Sequence, residues 1–126
     1  MIVFLTGLKI QACQLNQAFM NLFTNAIQAI EARTDQISSR IELKTTQKDE
    51  MVEIVISDNG IGIPQNIIAK IFDPFFTTKQ VGEGTGLGLS ITYGIIQKHQ
   101  GTLEVKTEVG VGTTFFICLP TNLILT

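Results

Sequence analysis

Asn21 and Asn25 stand four residues apart in NLFTNAIQAI, a spacing that puts two neutral carboxamides on one face of a helix. An amide oxygen is a hard ligand that joins phosphate oxygens and water around Mg²⁺ without adding negative charge, the chemistry of a metal shared with a nucleotide. Taken alone, the pair reads first as exposed or capping asparagines. Asp58 follows the apolar run MVEIVIS and precedes Asn59-Gly60, which sets a carboxylate at a strand end beside a tight turn. Such an acid can accept a hydrogen bond from an exocyclic amino group, and the missing side chains of Gly60 and Gly62 would let a flat base approach closely. DNG by itself reads first as an ordinary Asn-Gly turn.

The run GEGTGLGLS, residues 82 to 90, fits neither GxGxxG after a strand nor GxxxxGK[ST], because Gly86 is followed by Leu87. It does lead a series of backbone N–H groups into a helix N-terminus, a natural seat for phosphate oxygens, with the Ser90 hydroxyl in the first turn. A purely structural glycine loop is the alternative. Just upstream, FDPFFTTK places Lys79 within reach of a phosphate and sets Phe72, Phe75 and Phe76 around Pro74, either to clamp the loop or simply as core. The one histidine, His99, falls in QKHQG at an expected helix end, where capping is the reading rather than catalysis.

These residues need elements to hold them. From about Gln11 to Arg33 there is no Gly or Pro, and Leu15, Phe19, Leu22, Ala26 and Ile30 recur at helical spacing, with Asn21, Asn25 and Gln28 as a polar stripe. Arg40 to Thr45 and Met51 to Ser57, separated by QKDE, read as a hairpin whose second strand is the more central. Pro64 is placed to open a helical stretch through Ile71. Phe72 to Gly88 has no apolar period and reads as a mobile loop. Leu89 to Lys98 is helical, with Ile91, Ile95 and Ile96 on one face and a stop at Gly101. Two strands follow, Thr102 to Thr107 and Thr113 to Leu119.

The chain has 126 residues, 44% of them apolar and 16% charged, the length and composition of one folded domain. Nine basic against eleven acidic residues, without a basic run, argue against nucleic acid as a partner. No apolar stretch reaches the ~18–20 residues of a membrane span, so no direct membrane contact is expected. Cys13 and Cys118 are far apart with no ligand spacing around them, which fits a reducing cytoplasm better than a disulfide or zinc framework.

In order, NLFTNAIQAI, DNGIGIP, FDPFFTTK, GEGTGLGLS and GTTFFICLP resemble the catalytic ATP-binding domain of sensor histidine kinases, within the GHKL ATPase superfamily, over about residues 11 to 120. The resemblance implies a two-layer α/β sandwich: a mixed sheet of about five strands, about three helices on one face, and a flexible lid over ATP. It implies that Asn25 chelates Mg²⁺ while Asn21 assists at the phosphates, and that Asp58 reads the adenine amino group with Gly60, Gly62 and Ile63 lining the base pocket. The lid would be Phe76 through Gly86. Phe76, Lys79, Gly84, Thr85, Gly86, Leu87, Gly88 and Ser90 would meet the nucleotide, and Thr113 or Thr114 would lie near adenine.

Hydrolytic members of the superfamily carry a glutamate base where this chain has Asn21, which cannot take a proton in that role. The resemblance therefore implies slow hydrolysis and transfer of the γ-phosphoryl group to a histidine on a dimerisation domain outside these residues, with a response regulator as an indirect partner. Asn21, Asn25 and Lys79 are the catalytic candidates. A fragment without the acceptor domain is not expected to autophosphorylate in the usual way. Two other readings are a stand-alone anti-sigma-type serine kinase, disfavoured by Asn21 and FDPFF, and a catalytically silent nucleotide-binding module.

Overall fold

The computed structural model describes residues 9–35, 37–74, 76 and 88–121. Helix α1 spans Lys9–Glu31, the hairpin β1 and β2 spans Ile41–Lys48 and Met51–Asp58, helix α2 spans Gly88–Lys98, and β3 and β4 span Thr102–Glu108 and Gly112–Pro120. The strands lie in the order β1-β2-β4-β3, every neighbouring pair antiparallel. The expected sheet was mixed and of about five strands; among the described residues it has four and is wholly antiparallel. Short connections explain this, because 49–50 and 109–111 allow only hairpins, and the long connection from β2 leads to β3, which β4 separates from it.

Both helices cover one face of the sheet. Leu15, Ala18, Phe19 and Leu22 from α1 and Ile95 and Ile96 from α2 meet Ile54, Ile56, Leu103, Phe115, Ile117 and Leu119 from the strands, and burial of such side chains stabilises the domain by roughly 1.5–3 kcal/mol each. Strand β1 lies beyond the helices and adds no fully buried side chain; Leu43 stays 53% exposed. The expectation that β2 is the more central strand of the hairpin agrees with this order.

A third helix does not form at Pro64–Ile71. The segment is a chain of turns around a single 3₁₀ turn at Ile68–Lys70, with i to i+3 bonds from Ile67 N–H to Pro64 O (3.1 Å), Lys70 N–H to Ile67 O (2.9 Å) and Asp73 N–H to Lys70 O (3.0 Å). Eight residues are too few to repay helix nucleation without a packed face, so the tighter turn wins. The buried face of α2 also differs from the expected one. Thr92, Ile95, Ile96 and His99 are inside, at i, i+3, i+4 and i+7, while Ile91 is 37% exposed.

Thr92 takes the inner place because its hydroxyl is satisfied there, donating to Gly88 O at 2.8 Å. His99 is buried, with its Nδ1 2.8 Å from Ile95 O at the helix end. Phe72 packs beside Tyr93, ring centroids 5.2 Å apart.

Candidate functional site

One face of α1 carries Asn21, Asn25 and Ala29 at successive turns, so these residues form a line with about 6 Å of rise between neighbours. Each end of that line is fixed by a contact. Asn21 Nδ2 donates to Gly88 O at 3.2 Å and to Thr92 Oγ1 at 3.3 Å, bracing α1 against the first turn of α2. Ala29 O accepts from Ile61 N–H at 3.0 Å, and a Cβ on Gly60 would lie 2.5 Å from the Ala29 Cβ. Asn25 sits between them, half-buried, its amide without a hydrogen-bond partner among the described residues.

Asp58 closes β2 on the helix-facing side, two residues beyond buried Ile56. Its Oδ1 accepts from Gly60 N–H at 2.8 Å, and Thr113, its cross-strand partner on β4, adds a backbone N–H. Burial pushes the Asp58 carboxyl above its ordinary value, and the two N–H donors oppose that rise. An acid in this setting is a recessed acceptor with free oxygen capacity, suited to an amino group brought to it.

Strand alternation separates the two candidate threonines. Thr113 is buried on the Asp58 face, its hydroxyl 2.8 Å from that of Thr107. Thr114 points through the other face and pairs with Ser57 Oγ at 2.9 Å, so it does not join Asp58.

The glycines of the turn are closely packed by the protein itself. Gly60 is small because Ala29 approaches it, and Gly62, at φ +78°, because the Glu108 carbonyl oxygen would lie 2.3 Å from a Cβ. Ile63, half-buried, donates its N–H to Thr107 Oγ1 at 2.8 Å, tying the turn to β3.

At the other end Gly88 and Ser90 lie in the first turn of α2, half-buried, and a Cβ on Gly88 would meet nothing within 4 Å among the described residues. Phe76 is half-buried, its N–H on Asp73 O at 3.2 Å. Lys79, Gly84, Thr85, Gly86 and Leu87 lie outside the described residues.

Three contributors went unread in the sequence. Thr107 is recoverable from register, as the cross-strand partner of Thr113. Thr92 follows four residues after Gly88, a helix-internal spacing. Arg33 carries no spacing signal at all. Its side chain is 12% exposed, and the guanidinium grips the Asp35 carboxylate by Nε at 2.8 Å and Nη2 at 2.6 Å, while Nη1 donates to the carbonyls of Asn59 and Gly60, both at 3.0 Å. That hydrogen bonding holds the Asp35 carboxyl below its ordinary value and Arg33 above its own.

No helix among the described residues is long and apolar enough to cross a membrane. Residues 11–123 match the sequence profile described as histidine kinase-, DNA gyrase B-, and HSP90-like ATPase. The chain is 44% identical over 117 residues to the sensor kinase CckA of Brucella abortus, covering 85% of this chain and 12% of that protein. It is 46% identical over 109 residues to the signal transduction histidine-protein kinase AtoS of Escherichia coli, covering 86% of this chain and 17% of that one. Full-length ShkA, solved in complex with AMPPNP, superposes with a TM-score of 0.73 at 27% identity, over 86% of this chain and 22% of that one. The chain thus spans a small part of the length of its curated relatives, which are sensor histidine kinases. A two-layer arrangement with an Asn-bearing helix facing a DNG turn, and a profile match over nearly its whole length, place it in one family: the chain belongs to the histidine kinase-, DNA gyrase B- and HSP90-like ATPases.

Proposed function

We propose that this domain binds Mg-ATP along the α1 face, between the Asp58 turn and the N-terminus of α2, and presents the γ-phosphoryl group to a histidine on a separate dimerisation domain. The observation that carries this reading is the line from Asp58 and Thr113 past Asn25 to Gly88. It sets a recessed acceptor at one end and helix N–H donors at the other, the two chemistries that a base and a polyphosphate require. ShkA, solved with AMPPNP, supports the same ligand class here.

In this reading the Asp58 carboxylate accepts from the adenine amino group, while Gly88, Ser90, Lys79 and the 84–87 backbone meet the phosphates. Among the described residues no cluster of three or more His, Cys, Asp or Glu could hold a metal. A neutral Asn25 oxygen therefore fits a cation whose other ligands are phosphate oxygens and water. Mg²⁺, when bound, neutralises charge on the phosphates. Asn21, engaged with Gly88 and Thr92 and without a titratable group, orients rather than takes a proton. An acceptor-histidine nitrogen attacks the γ-phosphorus, the bond to the β–γ bridging oxygen breaks, and ADP leaves. The phosphohistidine then serves a response regulator, and the domain works in the cytoplasm.

Calorimetric titration with AMPPNP, with and without Mg²⁺, tests the binding half. The transfer half is tested by adding ATP and a separately made dimerisation domain: acid-labile phosphate on that domain is expected. Acid-stable phosphate, or none, would overturn the assignment to histidine.

A further inference from the structure

We infer that Arg33 is a positioning residue for base recognition, holding the peptide that aims Asp58; the inference rests on the nucleotide-binding reading above. The Asn59–Gly60 peptide is engaged at both ends. Its carbonyl oxygen accepts from Arg33 Nη1 at 3.0 Å, and its N–H donates to Asp58 Oδ1 at 2.8 Å. A cation on the carbonyl polarises the peptide and strengthens the N–H as a donor, so the positive charge of Arg33 reaches the Asp58 carboxylate through one peptide plane. The same Nη1 also holds the next carbonyl, that of Gly60, which fixes the plane against rotation.

The guanidinium is itself fixed. Asp35 grips it by two parallel bonds, and a fork of that geometry is something a lysine cannot reproduce. Around it the 37–40 segment closes on the turn: Asn59 Oδ1 accepts from Arg40 N–H at 2.8 Å, Asn59 Nδ2 donates to Ser38 O at 2.6 Å, and Asn59 N–H donates to Arg40 O at 3.2 Å. These bonds secure the Asn59 side chain and N–H. Only Arg33, among the described residues, grips the carbonyl of the peptide that Asp58 uses. Removing Arg33 therefore leaves the turn attached but frees that peptide to tilt, and the carboxylate loses its aim.

The experiment compares ADP with IDP, which carries a 6-oxo group in place of the amino group, by calorimetry on the full chain. Wild type is expected to prefer ADP. In Arg33→Ala, affinity for ADP falls at least about tenfold while that for IDP is unchanged or rises, so the ADP/IDP ratio collapses. Arg33→Lys restores part of the ratio, and Arg33→Ala on top of Asp58→Asn produces no further collapse. An equal loss for both nucleotides, or none for either, overturns the inference and leaves Arg33 as structure alone.

If Arg33→Ala does not fold by circular dichroism, Asp35→Asn decides the matter. Asp35 is exposed, and loosening its grip on Arg33 must lower the ratio too; an unchanged ratio refutes the proposal. Failure of the underlying reading looks different: wild type then binds neither nucleotide, or does not distinguish them.

Discussion

At the Asp58 end of the α1 face the backbone of the turn is tied on three sides: to α1 through Ala29, to β3 through Thr107, and to the 33–40 connection through Arg33 and Asn59. At the α2 end one side chain, Asn21, makes the brace, and among the described residues Asn25 has no partner and a Cβ on Gly88 would meet nothing within 4 Å. The difference matches two kinds of ligand chemistry. A planar base is recognised by fixed hydrogen-bond geometry, which must exist before the ligand arrives. Phosphates and a hydrated cation are held by charge and adaptable donors, so groups left free before binding cost nothing in broken bonds. On the proposed reading, the Asp58 end is built in advance, and at the α2 end the described residues supply the Asn21 brace.

Glycine substitutions break the comparison most sharply. In Gly62→Ala the new Cβ lies 2.3 Å from the Glu108 carbonyl oxygen at φ +78°, so overpacking and left-handed strain together are expected to destabilise the fold by about 3 kcal/mol or more. Gly88→Ala meets no described residue within 4 Å and should leave the unfolding free energy within about 0.5 kcal/mol of wild type while weakening nucleotide binding. Equal destabilisation of the two variants would erase the asymmetry.

Asp58→Asn removes the acceptor and keeps the shape. Nucleotide affinity should fall by about 1.5–3 kcal/mol, the range for a hydrogen bond to a charged group, without loss of fold. Because the folded carboxyl titrates above its ordinary value of 3.8, its contribution to folding is fully present below 3.8 and lost as pH rises through the folded value. Urea melts between pH 4 and pH 7 should therefore show stability shifting in favour of the Asn variant as pH increases. Binding runs the other way: ADP affinity declines more steeply for wild type than for Asp58→Asn as pH falls through the same window, the change common to both proteins being the ligand's own titration.

The phosphate end answers to smaller changes. Asn21→Ala forfeits the brace and should cost about 1 kcal/mol in stability. Asn25→Ala should cost less than about 0.5 kcal/mol, since its amide has no partner among the described residues, yet abolish the Mg²⁺ dependence of nucleotide affinity. If Asn25→Ala proved the more destabilising, its place as a reserved ligand would be lost.

Much of this was legible in the sequence where a period repeats. The α1 face of Leu15, Phe19, Leu22 and Ala26 is buried as its spacing requires, and the four described strands fall within a few residues of their alternating or apolar runs. Legibility failed where a long-range partner decides. Nothing local distinguishes Thr113 from Thr114 until register pairs one with Asp58 and the other with Ser57. Ile91 satisfies the helical period as well as Thr92 does, and the hydroxyl bonds to Gly88 and Asn21 settle which faces inward. Arg33 follows α1 as one more charged residue; its function depends on two carbonyls 26 and 27 residues away. The geometry around Asp58 is thus the least readable part of the candidate site, because backbone groups make much of it.

A last substitution tests whether α2 is loosely held. Gly94 lies within α2, exposed, and a Cβ there would meet nothing within 4 Å. Replacing it with alanine removes backbone freedom from the unfolded chain and should stabilise the domain by up to about 1 kcal/mol, read as a higher midpoint in urea. Asn21 braces the first turn of this helix through Gly88 and Thr92, two to six residues before Gly94, so a helix that frays would pass its motion to the donors beside the brace. If those donors are already ordered, the midpoint rises and ADP affinity does not move. A parallel gain in affinity would mean that ordering α2 is part of the cost of binding.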